Sequence, residues 1–436
     1  MRGIDHAVMR MKEEKKQLRS GFTTGTCAAA AAKAAALFLA GDEKTQISLQ
    51  TPGGRVAHFQ VQKLVNGEMT WFGVQKDAGD DPDVTHGAWI YGTVSRISKD
   101  MGFRRSVESK SDRTCEKKET AEKHDVDQEA RANVLVRAYE WKPDTDADHS
   151  GQFRLFLTAK DGIGLVTKPG LSCPVGNYAI NPVPRQMIFQ SVAHVLEEME
   201  AHGDYLIQLW IPAGRELALK TFNPKLGIKD GISILGTTGI VNPMSEQALM
   251  DTIRLEIHMR AVAGEHSLIL APGNYGERFL AEHLGIAINQ AVTCSNFIAD
   301  AIRWSADAGM GEILFVGHIG KLIKVAGGVK NTHSKYGDRR MEIMADCLPD
   351  TLDKQVRNEW IDRILGCNTT EEALEYLKSW GICDQVMHTA VSRMQHYMKQ
   401  WAGGNCDVQV VTFSTVYGIL GKTSDSDRMI ERWRQS

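Results

Sequence analysis

The sequence predicts an α/β protein, with an N-terminal α+β domain and a C-terminal domain built on a mainly parallel α/β/α sheet. Three observations carry this prediction. Residues 46–97 hold several short strand-like runs and little helical pattern. Residues 28–40 form an alanine-rich segment, the strongest intrinsic helix former. From residue 205 onward, short apolar runs alternate with helical segments, the signature of crossover units and a parallel sheet.

The bulk properties agree with this class. A chain of 436 residues has room for two or three domains at roughly 150 residues each. A hydrophobic content of 42% and a charged content of 24% are ordinary for a soluble globular protein. The net charge of -3 supplies no global field for nucleic acid, so any anion must be recognised by a local cluster. No run reaches the ~18 apolar residues that a bilayer span requires. Residues 1–19 mix charges of both signs and lack the apolar core of a secretory signal. Eight cysteines without a C-x-x-C pair argue against a zinc ribbon or a disulfide framework and point to a reducing cytoplasm. Cys27, Cys173 and Cys294 sit among small or apolar residues and read as packed thiols rather than nucleophiles.

Residues 1–17 read as a tail. The turn Arg19-Ser-Gly-Phe-Thr-Thr-Gly-Thr-Cys27 feeds the alanine helix, which Gly41 closes. Strands are expected at 46–50, 56–61, 70–75 and 88–97. Residues 104–131 are dominated by charge and serine, and read as a solvated insertion. A proline-rich connector through residue 185 ends the first domain, 18–185, and the second spans 186–436. It opens on a helix at 186–202, where Ile188, Val192, Val195, Leu196 and Met199 share one face. Strands follow at 205–211, 232–235, 267–271, 313–316 and 408–413. Helices are expected at about 245–262, 277–284 and 294–308, from near His318, and through most of 353–402.

Four glycine joints mark a candidate ligand crevice: Thr23-Thr-Gly-Thr26, Leu235-Gly-Thr-Thr-Gly239, Pro272-Gly-Asn-Tyr-Gly276 and Gly317-His-Ile-Gly320. Glycine lets a ligand approach the backbone, and the helix N-terminus that follows favours an anion. None is G-x-G-x-x-G, and the run after Gly276 ends in Asn289 and Gln290 instead of an acid, so a standard dinucleotide site is not supported. Glycine is also common at any strand-to-helix turn, so a purely structural role stays open. The loop 77–86 carries Asp77, Asp80, Asp81, Asp83 and His86. Such carboxylates can hold a metal, though not at the spacing of a calcium loop, or raise one another's pKa for proton transfer, or can simply cap backbone amides in an Asp-Pro turn. Residues 317–340 hold Lys321, Lys324, Lys330, Lys335, Arg339 and Arg340 against one acid, Asp338, with Thr332, His333 and Ser334 in the middle. That density of donors suits several carboxylates or phosphates.

Long phrases in this sequence resemble one family, the cobalt-precorrin-5B C1-methyltransferases of anaerobic cobalamin biosynthesis. They include Leu18-Arg-Ser-Gly-Phe-Thr-Thr-Gly-Thr-Cys27, Lys76-Asp-Ala-Gly-Asp-Asp-Pro-Asp-Val-Thr-His-Gly87, Val166-Thr-Lys-Pro-Gly-Leu171 and Ala179-Ile-Asn-Pro-Val-Pro-Arg185. Thr221-Phe-Asn-Pro-Lys-Leu-Gly-Ile228, the run 232–246, Pro272-Gly-Asn-Tyr-Gly276 and the stretch from Gly317 to Glu342 continue the match in family order. The insertion at 104–131 is an addition. Residues 160–165 replace a family Gly-Glu-Gly-Val-Gly, leaving Asp161 as a partial substitute for the glutamate.

The resemblance implies a fold other than the usual tetrapyrrole-methylase fold. It implies that S-adenosyl-L-methionine donates a methyl group to C1 of cobalt-precorrin-5B, giving S-adenosylhomocysteine and cobalt-precorrin-6A, with cobalt entering only as part of the substrate. It also implies hand-over of intermediates between cobalamin-pathway enzymes, with no nucleic acid or membrane partner. The sequence leaves homo-oligomer formation open. On this reading Gly236, Thr237, Thr238, Gly239, Gly273, Asn274 and Gly276 line the donor crevice. Lys321, Lys324, His333, Lys335, Arg339 and Arg340 hold substrate carboxylates, and Asp81 or His86 tunes substrate protonation. Two rivals are a non-catalytic corrinoid carrier and a nucleotide-dependent oxidoreductase acting on a polycarboxylate.

Overall fold

Alanine dominates the first helix because its small side chain lets neighbours come close. Helix α1 (Thr24–Leu39) buries every residue from Thr24 to Ala36 except Lys33. It packs against both a sheet and a second helix, α2 (Pro182–Glu198). The approach is tight enough that a Cβ on Gly92 of the sheet would lie 2.9 Å from the backbone nitrogen of Ala32, so only glycine fits there. The segment is therefore apolar for packing, and no helix among the described residues is long and apolar enough to cross a membrane.

This computed structural model describes residues 18–97, 137–142 and 152–435. The expected tail at 1–17 and the charged insertion at 104–131 lie outside the described residues. The chain divides into two units, Met1–Thr167 with Ser172–Ser245, and Lys168–Leu171 with Glu246–Ser436.

The first unit carries a seven-stranded mixed sheet. Its strands are β1 (Gln46–Gln50), β2 (Val56–Asn66), β3 (Met69–Gln75), β4 (Trp89–Arg96), β5 (Tyr139–Glu140), β6 (Phe153–Ala159) and β7 (Gly203–Trp210), in the order β1-β2-β3-β4-β7-β6-β5. Strand β7 pairs antiparallel with β4 and parallel with β6, placing Ile207 opposite both Val94 and Leu157. This long-range pairing corrects the sequence-based boundary at 185: α2 and β7 belong to the first unit, which continues to Ser245. Helix α2 also starts four residues early, because Pro182 supplies a helix-compatible φ at a position whose N–H would be orphaned anyway.

The second unit holds a five-stranded sheet of β8 (Ser267–Ala271), β9 (Ala291–Thr293), β10 (Glu312–His318), β11 (Asp407–Ser414) and β12 (Gly418–Lys422), ordered β9-β8-β10-β11-β12. All neighbours are parallel except β11 and β12. Its longer helices are α3 (Glu246–Val262), α4 (Asn274–Leu284), α5 (Ile298–Asp307), α6 (Ile319–Ala326), α7 (Lys354–Leu365), α8 (Thr370–Ser379), α9 (Cys383–Trp401) and α10 (Ser426–Arg434), with a short helical turn at Arg340–Ala345. The strands alternate between two cores, as a period of two requires. Ile313 and Phe315 join the core under α5, α6 and α9, while Leu314 and Val316 join the one under α4 and α10. The expected α/β/α layering is thus present. The helix expected over 294–308 is shorter, because residues 291–293 form the edge strand β9 and helix begins at Ile298.

Candidate active site

Strand order in the second unit creates a switch point. After β8 the chain runs through α4 to β9 on one side, and after β10 it moves to β11 on the other. Ligands in open α/β sheets bind in the crevice beyond the carboxyl ends of two such strands. Here those ends carry Pro272, Gly273 and Asn274 after β8, and His318 with α6 after β10. Gly273 adopts φ 129°, a conformation reserved for glycine, and offers no side chain to cap the first turn of α4. A Cβ there would meet only the Lys321 ammonium, at 3.9 Å. The Lys321 Nζ donates to the Pro272 carbonyl at 2.7 Å, so it spans the crevice. Burial holds its pKa below the usual lysine value. The structure therefore brings Gly273, Asn274, Gly276 and Lys321 together.

His318 is a feature the sequence reading passed over, although its Gly-His-Ile-Gly joint was marked. Its Nδ1 accepts from the Gly320 amide at 3.1 Å, capping α6. That leaves the proton of a neutral ring on Nε2, which lies 3.3 Å from Glu371 Oε1. Burial lowers the His318 pKa and Glu371 opposes the shift. The ring lies between Tyr275, 6.0 Å away, and Phe413, 5.5 Å away in edge contact. Only the capping role was accessible from spacing.

Two of the six cations of the basic stretch pair with acids, and a third, Lys324, is buried among backbone carbonyls. Lys324 is only 6% exposed, and its Nζ donates to the carbonyls of Thr332 at 3.3 Å and Gly337 at 3.2 Å. It therefore fastens the loop 331–337, which corrects its expected place in a carboxylate clamp. Lys335 pairs with Glu246, and Arg340 chelates Asp338. His333 accepts the Lys335 amide on Nδ1 at 3.1 Å. Arg339 makes no side-chain hydrogen bond or ion pair among the described residues. It lines a cleft of about 460 Å³ with Arg393, His396 and Tyr397.

In the first unit, three phrases marked separately in the sequence bind one another. Strand Gly21–Phe22 pairs with Ile240–Val241. Thr24 Oγ1 receives the Leu235 amide at 2.9 Å, and Thr26 Oγ1 donates to the Gly239 carbonyl at 2.7 Å. Gly236 abuts the Thr23 side chain, and Gly239 abuts Thr26 and Thr51. Thr237 of this turn lines a cleft, while Thr238 closes a local turn onto Ile240.

The acidic loop is tied into the same knot. Asp80 accepts the Arg19 amide at 2.7 Å, and Asp81 accepts the Met244 amide at 2.9 Å. His86 Nδ1 accepts the Ala78 amide at 3.1 Å. Asp83 pairs with Lys76 and accepts the Thr85 amide at 2.7 Å. Asp77 and Asp83 both have lowered pKa values. The Arg19 guanidinium holds Asp77 down to about 2. Burial alone would raise Asp83, but Lys76 and Thr85 outweigh it. Asp161 forms a surface pair with Arg215 at 3.1 Å. Burial pushes the Cys27 and Cys294 thiols up to about 12, so both are packed thiols.

The CbiD family pattern matches residues 11–108 and 104–243, and that of the CbiD C-terminal domain matches 331–424. A cobalt-precorrin-5B C(1)-methyltransferase from Ruminiclostridium cellulolyticum is 34% identical over 92% of this chain and 90% of its own. One of the same name from Thermoanaerobacter sp. is 35% identical over 95% and 97%, and one from Alkaliphilus metalliredigens 35% over 96% of each. A crystal structure of a cobalamin biosynthesis protein (cbiD) from Archaeoglobus fulgidus aligns over 71% of this chain and 80% of that one, at 23% identity and a TM-score of 0.34. With both family patterns matched and a third of the positions identical along nearly the whole length of these relatives, the chain belongs to the CbiD family.

Proposed function

We propose that this chain methylates C1 of cobalt-precorrin-5B, with S-adenosylmethionine as the methyl donor. The observation that carries the reading is 34% identity with a methyltransferase of that name over 92% of this chain. The switch-point crevice supports a small donor molecule. Gly273 admits a ligand to the backbone, the first turn of α4 favours a negative group, and Lys321 offers a half-buried ammonium beside both.

The donor supplies an electrophilic methyl on a sulfonium. The acceptor carbon belongs to the macrocycle, so the chain needs no nucleophile of its own. Its residues have three tasks: to hold the donor, align it with the acceptor carbon and exclude water. Lys321 would anchor the donor carboxylate beside the turn 272–276. A dry site also suits the charge dispersal of this displacement.

The direct test incubates the protein with cobalt-precorrin-5B and methyl-labelled S-adenosylmethionine. One labelled methyl on the corrinoid is expected by mass spectrometry, and its absence overturns the reading. Calorimetry checks the crevice: Lys321→Ala is expected to weaken donor binding about tenfold, the scale of one lost charge-assisted hydrogen bond. Unchanged affinity removes Lys321 from the site. A native chain that binds corrinoid but never the donor would favour a carrier.

A further inference from the structure

Arg339 reaches the surface of the second unit with no side-chain hydrogen bond or ion pair among the described residues. It stands just before the helical turn Arg340–Ala345 and lines the cleft of about 460 Å³ together with α9. Helix α9 brings Ser392, Arg393, His396 and Tyr397 to that cleft, positions i, i+1, i+4 and i+5 of one helical face. The end of α6 adds Ala326 and Gly327. Close packing of backbone on side chains sets these walls. Gly328 has φ 75°, and a Cβ on it would lie 3.1 Å from the Tyr397 ring, while a Cβ on Gly327 would lie 2.4 Å from Ile343. The volume lies within the roughly 300–1,000 Å³ of ordinary small-molecule sites.

We propose that this cleft seats a side-chain carboxylate of the corrinoid acceptor. Two guanidiniums line it against the one carboxylate of Asp346, which leaves a single positive charge in excess. A carboxylate monoanion balances that charge, and a doubly charged phosphate would overfill it. Arg393 uses one N–H on the Asp346 carbonyl at 3.0 Å, so the fork of each guanidinium can still match a carboxylate. The Tyr397 ring offers an apolar wall to the methylene groups of such an arm. The identity of the ligand rests on the methyltransferase reading, while the preference for a carboxylate rests on the lining alone. Cleft and donor crevice belong to the same unit. Lys321 of the crevice and Ala326 of the cleft both lie on α6, five residues or about 8 Å apart along its axis. Beside Arg339, the Arg340 pKa is raised by Asp338 and in smaller part by Glu371, whose Oε1 lies 3.3 Å from His318 Nε2. The segment 338–340 thus borders the cleft on one side and the crevice on the other. A corrinoid with its acetate and propionate arms is wider than that separation, so one arm can rest in the cleft while the ring faces the crevice.

The test titrates the full-length protein with cobyrinic acid, a corrinoid bearing free carboxylates, with cobinamide, in which amides replace most of them, and with benzoate, a small aromatic acid. Quenching of tryptophan fluorescence reports binding, since Trp401 stacks on the Tyr397 ring with centroids 6.2 Å apart. Cobyrinic acid is expected to bind at least tenfold more tightly than cobinamide. Arg339→Gln, which removes no bond among the described residues, and Arg393→Gln are each expected to weaken cobyrinic acid about tenfold, the effect of one charge-assisted hydrogen bond. Both variants should bind cobinamide and S-adenosylmethionine as the native chain does. Native-like affinity for cobyrinic acid in both variants overturns the site, and so does an equal loss for cobinamide, the mark of a merely structural effect. Benzoate held through both arginines, with cobyrinic acid indifferent to them, overturns the corrinoid as ligand. In the labelled-methyl assay Arg339→Gln is expected to raise the acceptor KM about tenfold with kcat little changed. A native chain that transfers no methyl, yet binds cobyrinic acid through Arg339 and Arg393, would remove the reaction and leave the carboxylate site standing.

Discussion

Asp83→Ala is expected to destabilise the first unit by about 3–5 kcal/mol, the usual result of leaving a buried charge unpaired. The Lys76 side chain is 1% exposed, and the Asp83 side chain 25%. Without the carboxylate, the ammonium keeps its desolvation cost and loses its counter-charge. The turn also loses the acceptor of the Thr85 amide and hydroxyl. At about 2–4 °C per kcal/mol for a unit of this size, the thermal midpoint falls on the order of 10 °C by circular dichroism. Lys76→Met added to Asp83→Ala should recover part of the loss, because the orphaned charge is then gone. A loss under about 1 kcal/mol in the single variant would mean that the pair is not buried in solution.

The same loop sets an acid limit. Asp77 and Asp83 both have folded pKa values below their ordinary ones. Each therefore contributes stability that is complete above the unfolded value of about 4, and lost as the pH falls through the folded value. For Asp77 that window runs from about 4 down to about 2. Asp77→Asn should flatten the decline of the thermal midpoint across it, and an unchanged slope would show that the Arg19 pair contributes nothing.

How much of this was legible depended on range. The parallel sheet of the second unit is written locally: each strand and its following helix are adjacent in sequence, so Ser267–Ala271 and Glu246–Val262 fall close to where periodicity puts them. The first unit is assembled by distant pairings. Nothing in the pattern of residues 203–210 says that they pair with 91–96 and 153–159, so local pattern alone ends the first unit short of Ser245. Side-chain roles were less legible still. Charge density marked residues 317–340, but neutralisation depends on partners such as Glu246, which lies 89 residues from Lys335. Hydroxyls and glycines at Thr23–Thr26 and 235–239 look like a ligand turn in one dimension. In three dimensions they serve as acceptors for each other across more than two hundred residues.

That last ambiguity can be resolved by two alanines. Gly236 and Gly273 share a backbone conformation, φ 126° and 129°, that strains any residue with a Cβ. By backbone strain alone each alanine costs about 1–3 kcal/mol. They differ in what the new methyl meets. At Gly236 it overlaps the Thr23 side chain, which is 5% exposed and held by the Thr26 amide at 3.3 Å, so it cannot swing aside. Overpacking adds about 1–3 kcal/mol, and Gly236→Ala should lose roughly 2–6 kcal/mol in all. At Gly273 the methyl enters open space with Lys321 Nζ at 3.9 Å, so stability falls only by the strain. Donor binding should divide the other way. Folded Gly273→Ala should bind S-adenosylmethionine at least tenfold more weakly, because the methyl occupies the approach to the backbone. The folded fraction of Gly236→Ala should bind it like the native chain. Equal stability losses would refute the packing account of Gly236, and native donor affinity in Gly273→Ala would move the donor away from the switch point. The glycine whose replacement disturbs folding least is thus the one expected to matter most for chemistry.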